Sequence, residues 1–377
     1  MKYHSIFKIM LRVAIVLVLV LTTAATCFAG YETQWPFQAE VFVNGNSIGT
    51  CGTIQEFNQL LVNNPGSGDM VVKAAEDVYW ALNKQIVIPK GAEYNISFDI
   101  TEHNCYLEPG CSFKIEADNV TIDFDCKLDL LRNFLQNENG GLVYVTGNNV
   151  TIKNLYMSNL SAKYYGGAIY TEGNNTTIEN CGFTDCTAGY YGGAIYAEKY
   201  GCKVNGCTFT GCTANGGWAG AIYLNYGGKS EQDRALIENC KFDKCSANGG
   251  HGEALFIGDD YTHVKGCEFY NTTVTSDICY VGNSANVNIR FENCKFYNNE
   301  PADGYDEFID IWGTRSTTVV SGCSSDNPSE DKFYSCTGSF ISEGNLGIII
   351  VLSVLALGGI VAVVIVNKKK KFAPSEN

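Results

Sequence analysis

The sequence predicts an all-β chain wound as a right-handed parallel β-helix, with a short capping helix at its N-terminal end and one C-terminal transmembrane helix. Three observations predict it: a tandem repeat of strand and turn residues through the middle of the chain, a basic and then apolar leader, and an uncharged run ahead of four lysines.

Lys2, Lys8 and Arg12 precede an apolar stretch over 13–21, and the small residue Ala29 stands before Gly30. Basic, apolar and small in that order make a secretory signal peptide, so 1–29 is assigned to it, with cleavage after Ala29. The apolar run is too short to span a bilayer comfortably as an uncleaved anchor. Residues 30–85 are read as an N-terminal cap with the first strands, expected around 70–72 and 86–88. Within them Thr53-Ile54-Gln55-Glu56 has the form of a capping box, and Ile54, Phe57, Leu60 and Leu61 share one face of the helix it opens. Such a helix plugs a solenoid whose end circuit would otherwise expose core and unpaired strand edges.

Residues 86–338 carry the repeat. Ile178-Glu179-Asn180-Cys181-Gly182-Phe183 leads through Cys186-Thr187-Ala188 to Gly192-Gly193-Ala194-Ile195-Tyr196. The next unit runs Val204-Asn205-Gly206-Cys207-Thr208-Phe209, Cys212-Thr213-Ala214, Gly220-Ala221-Ile222-Tyr223. A third holds Cys240-Lys241-Phe242, Cys245-Ser246-Ala247 and Ala254-Leu255-Phe256, and an earlier copy without cysteines ends in Gly166-Gly167-Ala168-Ile169-Tyr170. The first cysteines of successive units are 26, 33, 27, 27 and 29 residues apart, so the extra residues sit in loops. β-Branched and aromatic pieces broken by Gly and Asn are strand and turn chemistry, not the three-and-four spacing of a helix. At roughly 3.3 Å per residue one period closes a circuit of three short strands, and about ten stacked circuits would align equivalent residues about 4.8 Å apart in ladders.

The alternation of Gly-Gly-Ala-Ile with Phe-x-x-Asn/Cys over about 150–300 resembles the repeat of the polymorphic outer-membrane proteins, surface adhesins with β-helical passenger domains. The resemblance implies the solenoid and adhesion. Phe-x-x-Cys replaces Phe-x-x-Asn in three units, and a single helix with a lysine stop stands where that family carries a membrane β-barrel. Export by a different route is implied.

Of the 17 cysteines, Cys27 leaves with the signal peptide. Cys181, Cys207, Cys240, Cys267, Cys294 and Cys323 form one predicted ladder, and Cys186, Cys212 and Cys245 a second. Neighbouring rungs fall within the Cα separation a disulfide accepts, and disulfides persist outside the cell. Small buried free thiols suit the same positions, so both readings stand. Zinc is disfavoured, because Cys-x4-Cys pairs lack the close spacing or histidine partners of its sites. Asn95, Asn119, Asn149, Asn159, Asn174, Asn175 and Asn271 each head an Asn-x-Ser/Thr acceptor and are candidate glycosylation sites.

After a linker over 339–345, residues 346–366 carry no charge and Lys368, Lys369, Lys370 and Lys371 follow. The run is long enough to cross a bilayer, and the lysines hold the 367–377 tail in the cytoplasm. The expectation is a single-pass type I protein of the plasma membrane with its solenoid at the cell surface.

With the leader's three basic residues, the tail's four lysines and Glu376 set aside, 26 basic and 40 acidic residues become 19 and 39. That negative field repels phosphate backbones and excludes nucleic acid as a partner. Pectate lyases and polygalacturonases share this solenoid class, which makes a polysaccharide lyase or hydrolase the competing function, by analogy of fold alone. Gly250-His251-Gly252 resembles a tripeptide of polygalacturonase active sites. Those enzymes also use an Asp-Asp pair one coil earlier and a later Arg-x-Lys; here Glu231-Gln232-Asp233 stands one coil earlier and no Arg-x-Lys occurs. His251 falls in register with Trp218, so the tripeptide reads as a repeat variant. Asp259, Asp260, Asp303, Asp306, Glu307 and Asp310 read as loop acids able to hold calcium weakly. No catalytic, cofactor or metal residue is assigned, and no nucleophile-elbow, zinc-protease or phosphate-loop pattern occurs.

Binding is the expected activity. Tyr164, Tyr165, Tyr190, Tyr191, Trp218 and Tyr226 cluster beside the glycine corners of consecutive coils. Pointing outward they make an aromatic strip for a glycan or a protein partner; pointing inward they are core. The sequence therefore predicts a non-enzymatic surface adhesin, with the polysaccharide enzyme second and an inert antigenic coat third.

Overall fold

The computed structural model describes residues 39–342 apart from 75–77, 81–84, 100–104, 108–110, 125–127, 131–135, 259, 275, 283–287, 302–307, 313–317, 327–333 and 337–339. The signal peptide, the 346–366 span and the tail lie outside the described residues. No described helix is long and apolar enough to cross a membrane.

Strands begin earlier than the sequence reading placed them. Ala39–Val43 and Asn46–Cys51 form an antiparallel hairpin. At its turn Asn44 and Gly45 take φ of 49° and 81°, the left-handed pair a two-residue hairpin favours. Helix α1, Ile54–Asn63, follows; the Thr53 hydroxyl accepts the Glu56 amide at 3.1 Å and the Glu56 carboxylate accepts the Gly52 amide at 2.5 Å. Its face buries Ile54, Phe57 and Leu61, with Leu60 only partly covered. Asn58 donates to the Gln85 carbonyl at 2.9 Å and accepts from the Val87 amide at 3.0 Å. Those two bonds engage Gln85–Ile88, the terminal strand of its sheet, whose open edge would otherwise offer unpaired backbone groups.

Gly66–Ala74 pairs in parallel with Ala92–Asp99, and from there strands stack coil on coil. Three long ladders of thirteen, ten and seven strands make the walls. In the first, Ile122, Ile152, Ile178, Val204, Ile237 and Val264 align and are buried. In the seven-stranded wall Phe183, Phe209, Phe242, Phe269 and Phe296 stack inside the tube, with centroids 5.4, 5.0, 4.9 and 4.6 Å apart. The ten-stranded wall includes Ile169–Thr171, Ile195–Ala197, Ile222–Leu224, Leu255–Ile257, Cys279–Gly282 and Ile309–Trp312. Strand alternation sends Ile195 and Ala197 inward and Tyr196 outward.

One corner row, Asn154, Asn180, Gly206, Asn239, Gly266, Asn293 and Gly322, lies in the left-handed region, which explains why only Asn and Gly occupy it. The cysteine rows follow such corners. Every cysteine of the two predicted ladders is a free thiol. Cys181, Cys207 and Cys240 donate to the carbonyls of Glu179, Asn205 and Glu238 at 3.2, 3.4 and 3.1 Å, so each thiol satisfies a corner carbonyl of its own coil. Burial pushes the Cys240 and Cys267 thiols upward, away from reactive thiolate. In the second row Leu160 precedes Cys186, Cys212 and Cys245, and buried Thr272 and Asn299 follow. Asn299 donates to the Phe269 carbonyl at 3.0 Å, as Cys245 does to that of Phe209 at 3.7 Å.

The acceptor asparagines are partly used by the fold. Asn149 donates to Asn119 at 2.9 Å and Asn175 to Asn149 at 3.1 Å, an amide ladder up one corner. Asn174 donates to Asn148, Asn95 to Asp69, and Asn271 to Asp243. Asn159 sits exposed at a left-handed corner.

Candidate functional site: an aromatic strip outside the tube

A second cluster of buried rings forms outside the tube, separate from the core. Strand register aligns Tyr144, Tyr170, Tyr196, Tyr223, Phe256 and Tyr280 on the outer face of the ten-stranded wall. Their centroids are 5.3, 5.3, 4.9, 4.5 and 5.4 Å apart, the spacing of the coils themselves. A second row comes from the corner before each strand and lies over the ring one coil on: Tyr165 on Tyr196 at 5.0 Å, Tyr191 on Tyr223 at 5.0 Å, Trp218 on Phe256 at 4.9 Å and His251 on Tyr280 at 4.3 Å. Each pair adds about 0.5–1.5 kcal/mol beyond the area it covers.

The corner geometry explains the overlap. Gly166 and Gly192 take φ of 61° and 66°, and a Cβ on the neighbouring Gly167 or Gly193 would meet the next coil's carbonyl at 2.0 or 1.9 Å. A glycine pair lets these two corners turn tightly and still stack without strain, the next corner using Ala219 at φ 64° ahead of Gly220, and the turn throws the preceding aromatic over the wall.

Five of the six sequence-nominated aromatics meet here. Tyr165, Tyr191 and Trp218 are half-buried in the cluster, Tyr164 stacks on Tyr190 at 5.7 Å, and Tyr190 is 46% exposed. Tyr226 does not join them; it packs on Tyr200 at 5.1 Å, beside Lys229. Tyr226 follows the strand Ile222–Leu224, at the opposite corner from the glycine turns, and stays in register with Tyr200, as the Gly201 amide donating to the Gly227 carbonyl at 2.8 Å shows. The choice between outward strip and inward core resolves into a third arrangement: outside the tube, yet mutually buried.

A polar margin runs beside the rings. Tyr170 donates to Glu172 at 3.2 Å, Tyr196 to Glu198 at 2.8 Å, and the Asn225 amide to Glu198 at 3.2 Å. Burial, then Glu172, raises Tyr144 to about 12. Burial also raises Tyr196, reinforced by Glu198, so these phenols stay neutral donors.

At the C-terminal end the rows change identity. His251 takes the place of Trp218, and its carbonyl accepts the Ala219 amide as that of Trp218 accepts Gly192. The glycine row Gly167, Gly193, Gly220 continues as Glu253 and Asp277, by the pairing of Leu255 with Cys279. The tyrosine row ends in Asp310, paired with Tyr280. His251 Nδ1 lies 2.9 Å from Asp277 Oδ2, and Asp277 Oδ1 accepts the Gly252 amide at 2.6 Å. The Asp277 hydrogen bond, aided by its charge and that of Asp310, raises His251 above the ordinary imidazole value against the pull of burial. Burial raises Asp277, and His251 opposes it. Asp310, read from sequence as a loop acid, belongs to this group, whose ligand-type atoms all lie within 4.8 Å of one another. Asp303, Asp306, Glu307 and Asp259 lie outside the described residues.

A family model described as a right handed beta helix region matches residues 102–250 and, in an overlapping placement, 143–325. The chain belongs to the right-handed β-helix family. No curated protein matches it. Among solved structures, a complex of the alginate lyase AlyF-OU02 with G6 is 13% identical, with 76% of this chain covered and a TM-score of 0.44. This chain spans 60% of the length of that structure.

Proposed function

We propose that the protein binds an extended glycan along the outer aromatic strip, as a non-enzymatic adhesin held at the cell surface by the 346–366 span. The observation that carries the reading is the strip itself. Stacked rings outside the tube, with a margin of Glu172, Glu198 and Asn225, supply both apolar faces and hydrogen-bonding edges to a sugar chain. Its repeat along the solenoid axis suits a polymer rather than a compact ligand. Tyr190 and Tyr164 form the accessible lip.

The test is a glycan array probed with residues 30–345, followed by titration of any hit. Tyr190→Ala and Tyr164→Ala remove ring faces that the core does not need, so each should weaken binding about tenfold, roughly 1.4 kcal/mol, with the melting temperature retained. Unaltered affinity in the double variant would sink the strip as the binding face. One observation favours a polysaccharide-cleaving alternative: the His251–Asp277 pair ends the strip. Shortening of the bound polymer on incubation selects it, and an intact polymer selects adhesion.

A further inference from the structure

We propose that His251, Asp277 and Asp310 form a binding site for a divalent metal ion of the zinc and manganese class at the C-terminal end of the aromatic strip. The inference stands independently of the glycan reading. Three separate rows have left their repeat where they meet here: an indole becomes an imidazole, the glycine row, already replaced by Glu253 one coil earlier, reaches an aspartate, and a phenol becomes an aspartate. Each departure supplies a metal-ligand type, and register alone brings them together from positions 26 and 33 residues apart in the chain.

The geometry fits one ion. Ligand atoms within 4.8 Å of one another need only small adjustment to reach metal bonds of about 2.0–2.2 Å. Asp277 is preset: its side chain is 2% exposed and its far oxygen is pinned by the Gly252 amide at 2.6 Å. That amide plays the orienting part usual behind a ligating carboxylate. His251 is 42% exposed and Asp310 half-buried, so the site opens to solvent and leaves coordination positions for water or an incoming hydroxyl. Two carboxylates facing one imidazole leave net negative charge beside the apolar face of Tyr280, and a dication balances it. One nitrogen and two oxygens suit zinc or manganese better than calcium, which takes six to eight oxygens.

Metal-free residues 30–345 should bind one zinc or manganese ion per chain in calorimetry, and their melting temperature should rise with metal concentration. His251→Ala and Asp310→Asn should each weaken binding by about tenfold or more, while Tyr190→Ala leaves it unchanged. Cobalt substitution separates this site from the cysteine rows: the nitrogen and oxygen site gives weak ligand-field bands, and thiolate ligation gives intense charge-transfer absorption. Thiolate bands, wild-type affinity in both ligand variants, or calcium binding as tight as zinc would each overturn the proposal.

Discussion

Two aromatic ladders run along this solenoid, one inside the tube and one outside, and they answer the same stacking geometry with different chemistry. Inside, Phe183 to Phe296 repeat one residue type over five coils, all fully buried. Outside, Tyr144 to Tyr280 are mostly phenols, roofed by a second row and margined by carboxylates. The inner ladder has nothing to gain from variation, because a tube core rewards identical volumes at every rung. The outer ladder changes to Phe256 at a buried rung and ends beside the ionisable groups His251, Asp277 and Asp310. Uniformity therefore marks the part that holds the fold, and broken uniformity marks the part open to a ligand.

Truncation is the sharpest way to break this comparison. Phe242→Ala empties a site enclosed by Phe209 and Phe269, and should cost about 3–5 kcal/mol in urea unfolding. Tyr196→Ala loses contact with more rings, Tyr165, Tyr170, Tyr191 and Tyr223, but opens toward solvent, where water refills the gap, so about 2 kcal/mol is expected. Equal losses would mean that the outer strip is core in all but position. A finer cut separates the phenols. Tyr196→Phe forfeits the 2.8 Å bond to Glu198, worth about 1–2 kcal/mol. Tyr223→Phe should change stability by less than about 0.5 kcal/mol, since Phe256 already fills the next position of that row.

The inner ladder was legible because Phe recurs at a fixed offset from Cys, and the same offsets exposed the coil period. The capping box was legible because its signal is local. The hairpin at Asn44-Gly45 carries a strong local turn signal, but its strands lie outside the repeat from which the coils are read. For the strip, the glycine corners pointed to Tyr165, Tyr191 and Trp218, but the Ile-Tyr alternation that places Tyr196 and Tyr223 outward was left unused. Tyr226 misled because Gly227 and Gly228 beside it look like a strip corner, whereas it follows its strand and stacks on Tyr200 at the opposite corner. Asp277 was beyond reach: it lies in a weak copy, and its meaning depends on replacing a glycine whose row only strand pairing reveals. Its separation from His251, close to one period, was the signal available.

The smallest effect tests whether the charged surface outside the Phe ladder contributes at all. Glu268 accepts from Tyr270 at 2.7 Å and sits 3.5 and 3.8 Å from Lys241 and Lys295. The Tyr270 bond first, then the two lysines, hold its carboxyl below the usual range. A depressed carboxylate adds stability above its unfolded value of about 4.3, and that stability is lost as pH falls through the lower folded value. Glu268→Gln should therefore be less stable than the parent at neutral pH and converge with it in acid, read as urea midpoints at about pH 7 and about pH 3. A gap of the same size at both would assign Glu268 a packing role. The outer layer of this wall would then stabilise by shape, as the inner one does.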